Sequence, residues 1–269
     1  MNIRRKMNSV INRIRDTLNE IEATQHIRIL HAVESGSRAW GFASPDSDYD
    51  VRFIYAREKK FYLMLEKARD VIEWQLDEVL DVNGWDIQKA LRLLHSSNPT
   101  LFEWSNSPII YKTTDEWVML QKEINQYFLA KTGLYHYHST AIGNYRKYLK
   151  GDMVRLKKYF YVVRPILACK WILEKGCPPP MLFSDLVDAE LPPAMRPVIN
   201  RLLEQKMSMP EMGEGKRVDA LNRYIDESLS QLTIEIDALP QDHKASWEPL
   251  NKLFLNIVDH TSSDFHCQG

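Results

Sequence analysis

The chain has 269 residues, 44% of them hydrophobic and 26% charged, with a net charge of −1. That length suits one large domain or two modest ones around an ordinary globular core. The charge balance excludes a globally basic nucleic-acid binder and leaves room for a local basic patch. Three cysteines, Cys169, Cys177 and Cys267, are scattered without a CxxC pair, which predicts free thiols in a reducing compartment and no structural zinc. No long apolar run follows the basic start Arg4-Arg5-Lys6. Neither a secretory leader nor a membrane span is expected, and the chain reads as cytoplasmic.

Val10, Ile14, Leu18 and Ile21 recur at helical spacing, ahead of an apolar run from Ile27 to Val33 that reads as a strand. The strand stops at Ser35-Gly36-Ser37. Glycine there opens backbone shapes closed to other residues and lets the main chain approach a ligand. Arg38-Ala39-Trp40 opens a short helix, and a small turn at a helix start presents N–H groups that suit a phosphate. A loop through Ala43–Ser47 leads to a second strand beginning Asp48-Tyr49-Asp50-Val51. Strand alternation puts Asp48 and Asp50 on one face. Adjacent carboxylates repel, and a magnesium-like cation relieves that repulsion.

A short helix is expected from Phe61 to Lys67. Val71–Trp74 and Val79–Val82 read as strands, with Asn83-Gly84 as a breaker after the second. Asp86 is placed to cap a helix through Leu94, and Asn98-Pro99 to open another. From Thr114 onward the pattern is helical. One helix carries Trp117 to Phe128, a second runs from about Tyr135 to Lys150, and a third from Asp152 to Lys175, stopped by Gly176 and the prolines that follow. Pro192–Lys206, Arg217–Ile236 and Trp247–Asp259 complete the helices. The expected architecture is an α/β (α+β) unit on a small mixed sheet, residues 1–110, followed by an all-helical domain, residues 111–269.

Gly36-Ser37, an interval of about ten residues, then Asp48-Tyr49-Asp50-Val51 resembles the signature of polymerase-beta-like nucleotidyltransferases. The run Asp81-Val82-Asn83-Gly84-Trp85-Asp86, with Asn98-Pro99, Glu103-Trp104 and Lys157-Lys158-Tyr159-Phe160-Tyr161-Val162-Val163-Arg164-Pro165, is similar to the RNA-repair-pathway branch of that superfamily. The resemblance covers about residues 27–180. It implies that Gly36 and Ser37 hold the β- and γ-phosphates of an NTP, ATP by expectation. It also implies that Asp48 and Asp50 bind magnesium, with two ions expected, and that a third acid on a neighbouring strand activates the acceptor hydroxyl or completes the second metal site.

The candidates for that third acid are Glu73, Asp77, Glu78, Asp81 and Asp86. Asp81 lies inside an apolar strand run, where an unpartnered charge is costly. It is therefore preferred, with Glu73 as runner-up and Asp86 explained as a helix cap. Tyr145–Lys150 and Arg155–Tyr161 alternate cations with aromatics. Lys157, Tyr161 and Arg164 share a helical face, so Lys157, Lys158 and Arg164 are candidates for the triphosphate; the alternative is a solvated face with the tyrosines in the core. Arg38 stands open between a phosphate contact and a surface role. His136 and His138 are read as structural. The functional expectation is nucleotidyl transfer to an RNA end. Transfer to a protein or small molecule is the alternative, and a non-catalytic nucleotide-binding module the third reading.

Overall fold

The computed structural model describes residues 3–66, 68–75, 79–208 and 213–266. The stripe at Ile14, Leu18 and Ile21 forms the buried face of helix α1 (Ile3–Gln25). It packs with Ile29, Ala32, Val51, Phe53, Ile72 and Val82 on one side of a five-stranded sheet. The strands are β1 (Arg28–Glu34), β2 (Tyr49–Ala56), β3 (Val71–Gln75), β4 (Leu80–Asp86) and β5 (Ile110–Thr113), in the order β3-β4-β2-β1-β5. Strands β2 and β4 run parallel and the other neighbours antiparallel, so the sheet is mixed as expected. Between β1 and β2 lies the four-residue helix α2 (Gly36–Ala39), and between β2 and β3 the short α3 (Lys59–Tyr62).

Helices α4 (Ile87–His95), α5 (Pro99–Ser105) and α6 (Asp115–Glu123) cover the other sheet face. Asp86 caps α4 and Asn98 caps α5, each accepting an N–H bond from two residues on. The helical half contains α7 (Ala130–Tyr148), α8 (Phe160–Lys175), α9 (Phe183–Glu190), α10 (Arg196–Ser208) and α11 (Asp219–Ala238), around a core of Leu134, Phe160, Val163, Leu167, Leu186 and Ile225. The last helix, α12 (Glu248–His266), returns to the sheet, where Leu250 and Ile257 join Leu30, Ile54 and Leu94. No helix among the described residues is long and apolar enough to cross a membrane.

Two local expectations need correction. Asn83-Gly84 does not break its strand, because β4 continues through it to Asp86. Gly84 lies across from Phe53 in the parallel ladder, and a Cβ there would overlap the Phe53 ring. The missing side chain is needed for packing rather than for a turn. The expected helix from Asp152 is instead a short strand β6 (Met153–Arg155), a 3-10 turn (Leu156–Tyr159), and then α8. Strand β6 pairs antiparallel with β7 (Glu214–Lys216), a two-stranded ribbon within the helical half.

Gly84→Ala is therefore expected to destabilise the protein by about 1–3 kcal/mol through overpacking. Phe53→Leu in the same chain should recover part of that loss. Urea unfolding of the single and double variants measures both, and additive effects of the two changes would contradict the contact.

Candidate active site

The turn after β1 is set by backbone geometry. Gly36 has φ +62°, a left-handed conformation that favours glycine. A Cβ at residue 36 would also overlap the Asp50 carboxylate. The Ser35 N–H donates to the Asp50 carbonyl at 2.8 Å, so turn and second strand are tied at this point. The Ser37 hydroxyl donates to Ser47 Oγ at 3.2 Å, and Ser47 Oγ accepts the Ser44 N–H at 2.9 Å. Arg38 donates to the carbonyls of Asp48 and Ser47 and lies over the Tyr49 ring at 3.7 Å. The guanidinium of Arg38 thus clamps the loop to the start of β2.

Asp50 and Arg52 share one face of the sheet, Asp48 precedes β2 with its charge acting on Asp50, and the parallel register sets Asp81 directly beside Asp50. Arg52 bridges the two acids, 3.2 Å from Asp50 Oδ1 and 2.7 Å from Asp81 Oδ2. The Asp50 carboxyl is held above its ordinary pKa first by burial, with Asp81 and Asp48 adding to the rise and Arg52 opposing it. Asp81 and Asp48 thus both act on the Asp50 charge. Asp81 itself is exposed, its side chain 52% accessible, so burial is not what singles it out. Its place beside Asp50 comes from strand register. Glu73 sits across from Asn83, further along β4, and pairs with Arg69. Asp77 and Glu78 lie outside the described residues.

No three carboxylate, histidine or cysteine groups among the described residues converge into a ready-made metal cage. Where one would form between Asp50 and Asp81, the Arg52 guanidinium stands. The pair Asp48 and Asp50 still fits magnesium, which binds through one or two carboxylates and completes its shell with substrate phosphates and water.

Glu34 is a site residue that the sequence reading missed. It is fully buried at the end of β1; one carboxylate oxygen accepts the Asp50 N–H at 2.7 Å and the other the Tyr111 hydroxyl. Burial pushes its carboxyl up to about 7. The available signal was an acid closing an apolar strand immediately before Ser35-Gly36.

The helical half supplies the opposite wall. Tyr161 on α8 meets Trp40 edge-on at 5.5 Å, and its hydroxyl is raised by burial and then by the Asp50 and Asp48 carboxylates. Lys158 lies over the rings of Tyr161 and Tyr148, 4.5 Å from each centroid. Lys157, in the 3-10 turn, lies close enough to Lys206 for the two charges to act on each other. Arg164 is placed differently from expectation. It is buried, pairs with Glu103 at 2.8 Å and stacks over Trp40 at 4.6 Å. The Tyr137 hydroxyl donates to the same Glu103 oxygen at 3.0 Å. Arg164, expected at the triphosphate or on a solvated face, thus braces Trp40 at the end of α2, with its charge met by Glu103. His138 bonds the Leu229 carbonyl in the core, in keeping with a structural role.

Asp86 lies at the far end of β4 from Asp81. It caps α4 through the Gln88 N–H at 2.8 Å and accepts the Tyr62 hydroxyl at 2.9 Å. Burial raises its carboxyl to about 6.

A strand, a Gly-Ser turn and a second strand bearing paired acids, set on a mixed sheet with a helical partner, agree with the polymerase-beta-like family. The chain belongs to the RNA repair pathway DNA polymerase beta family, whose profile matches residues 10–256. It is 42% identical over 256 residues to the uncharacterized protein YcgL of Bacillus subtilis strain 168, covering 94% of this chain and 98% of that one. A crystal structure of a nucleotidyltransferase-like protein from Exiguobacterium sibiricum aligns over 85% of this chain and 75% of its own, at 15% identity and TM-score 0.30, too distant to bear on the site.

Two stability predictions follow from these side chains. Folded Asp86 holds its proton to about pH 6, whereas the unfolded residue loses it near pH 4. Stability contributed at this position is thus intact below about pH 4 and falls as pH rises towards 6. Asp86→Asn keeps the cap and removes that fall, so its thermal midpoint should match wild type at pH 4 and exceed it at pH 7. A variant less stable than wild type at pH 7 would contradict the assignment. Arg164→Ala leaves Glu103 buried without its cation and is expected to cost on the order of 3–5 kcal/mol in denaturant unfolding.

Proposed function

We propose that this protein transfers a nucleoside monophosphate from an NTP, ATP by preference, to an acceptor hydroxyl at an RNA end, with magnesium as cofactor. The observation that carries this reading is the meeting of three features within one strand pair and its neighbour. The Gly36–Ser37 turn packs on Asp50, the Asp48 charge acts on Asp50, and Asp81 stands beside Asp50 in register. Asp48 and Asp50 would hold the metal, which when bound would draw charge from the phosphates and the attacking oxygen. The Gly36 and Ser37 backbone and the Ser37 hydroxyl would seat the phosphates. Lys158 and Tyr161 would close the nucleotide from the helical side, with Tyr161 available for stacking on a base. Asp81 would accept the acceptor's proton, and Arg52, already bonded to it, would hold its carboxylate in line. As the acceptor oxygen bonds to the α-phosphorus, the bond to the bridging oxygen breaks and pyrophosphate leaves. Positioning and charge stabilisation carry the reaction. The RNA acceptor is favoured by the family to which the chain belongs.

Pyrophosphate release with each NTP, magnesium and total RNA tests the proposal. Asp50→Asn should abolish release while remaining folded. Asp81→Asn should lower kcat strongly with NTP affinity nearly unchanged, because the nucleotide ligands remain. Wild-type turnover by folded Asp50→Asn would overturn it.

A further inference from the structure

A cavity of about 680 Å³ lies in the helical half, walled by α8, α11 and the end of α9, and the reading above makes no use of it. That volume is in the range of small-molecule sites. Along α11 it is lined by Tyr224, Glu227, Ser228, Gln231, Leu232 and Glu235, a stripe at helical spacing. The stripe runs for about three turns, so the cavity is a long groove.

Four carboxylates line it, Glu174, Glu190, Glu227 and Glu235, against one ammonium, Lys170. Tyr224 holds that ammonium: Lys170 Nζ donates to the Tyr224 hydroxyl at 3.1 Å and lies over the ring at 4.8 Å. Glu174 has Lys175 at 2.5 Å, and Glu235 accepts the Gln231 amide at 2.7 Å. Other groups are left unmet. Glu190 Oε1 is buried and has no hydrogen-bond partner among the described residues. Burial, and then the Glu174 carboxylate, hold the Glu190 carboxyl above its ordinary range, against Lys175 and Lys170. Ser228 is 7% exposed, and its hydroxyl forms no hydrogen bond among the described residues. A buried acceptor without a donor is costly.

The missing partner is a positively charged donor. The acids are dispersed, and no three among the described residues come together as a metal-binding group. Glu227 and Glu235 stand eight residues apart on α11, which is about 12 Å along the helix axis. Leu173, Pro192 and Leu232 add apolar wall to the same groove. One metal ion cannot span such a row, whereas ammonium groups joined by methylene runs can reach the acids and lay their stems on the apolar wall. We infer that this groove binds a linear aliphatic polyamine, with one ammonium on Glu190, others on Glu227 and Glu235 along α11, and Ser228 accepting a further N–H. Charge-assisted bonds of this kind are the strong ones. The site stands apart from the nucleotidyl-transfer reading and does not depend on it.

The test is calorimetry on the full chain with spermidine, in about 0.15 M salt to screen loose surface attraction. Wild type should bind spermidine at one site, and an equal concentration of magnesium should not displace it. Asp50→Asn should bind it as wild type does, since the groove is lined by helices of the other half. Glu190→Gln removes the buried charge, should melt no lower than wild type, and should weaken spermidine about tenfold or more. Glu227→Gln, at an exposed side chain, should weaken it by a smaller factor and keeps the test decisive if Glu190→Gln does not fold. No binding to wild type, or equal binding by wild type and the glutamine variants, would overturn the site. Loss of binding in Asp50→Asn would place the amine on the sheet carboxylates and overturn it as well. Displacement by magnesium, or equally tight binding of trilysine, would show a response to charge alone and overturn the polyamine assignment.

Discussion

The contact between Gly36 and Asp50 is the constraint on which the site depends. Residue 36 approaches the Asp50 carboxylate so closely that no side chain fits, and its positive φ would strain any other residue. The turn and the acid are therefore one unit. Glu34, one residue before the turn's Ser35, takes the Asp50 N–H, and Arg38, two residues after Gly36, takes the Asp48 carbonyl. Both ends of the turn thus grip the strand that carries the acids. Such over-determination holds the carboxylates in place without help from a ligand.

The helical half is joined to this unit through aromatic and ionic packing. Phe42 carries the chain from α2 into the helical core beside Phe160 and Phe183. Trp40, at the end of α2, is braced by Arg164, which Glu103 on α5 anchors in turn. This buried pair links a helix of the sheet layer to a helix of the other half. Its contribution to net stability is small by general experience, and its loss is costly because one charge is left stranded. It holds Trp40, which Tyr161 meets edge-on.

The Gly-Ser turn and the Asp-x-Asp strand were legible because spacing and period-2 alternation are local properties. The N-caps Asp86 and Asn98 were legible for the same reason. Asp81 was chosen on a burial argument, and the structure shows an exposed side chain placed by strand register, which no local pattern encodes. The bridging position of Arg52 and the grip of Glu34 on Asp50 depend on the same pairing and were not readable. A continuous helix from Asp152 would set Arg164 on one face with Lys157. The 3-10 turn ahead of Phe160 puts Lys157 on a different element, and the face of α8 bearing Arg164 turns inward. Gly84 read as a breaker because glycine marks turns more often than it marks a ring packed on a strand.

The claim that turn and acid form one nucleotide-binding unit is tested most directly by the magnesium dependence of ATP binding, measured by calorimetry on wild type and Gly36→Ala. The added methyl group must displace the Asp50 carboxylate. Wild type should bind ATP much more tightly with magnesium than without, and a folded Gly36→Ala variant should lose that increment. Full magnesium dependence in Gly36→Ala would contradict the account.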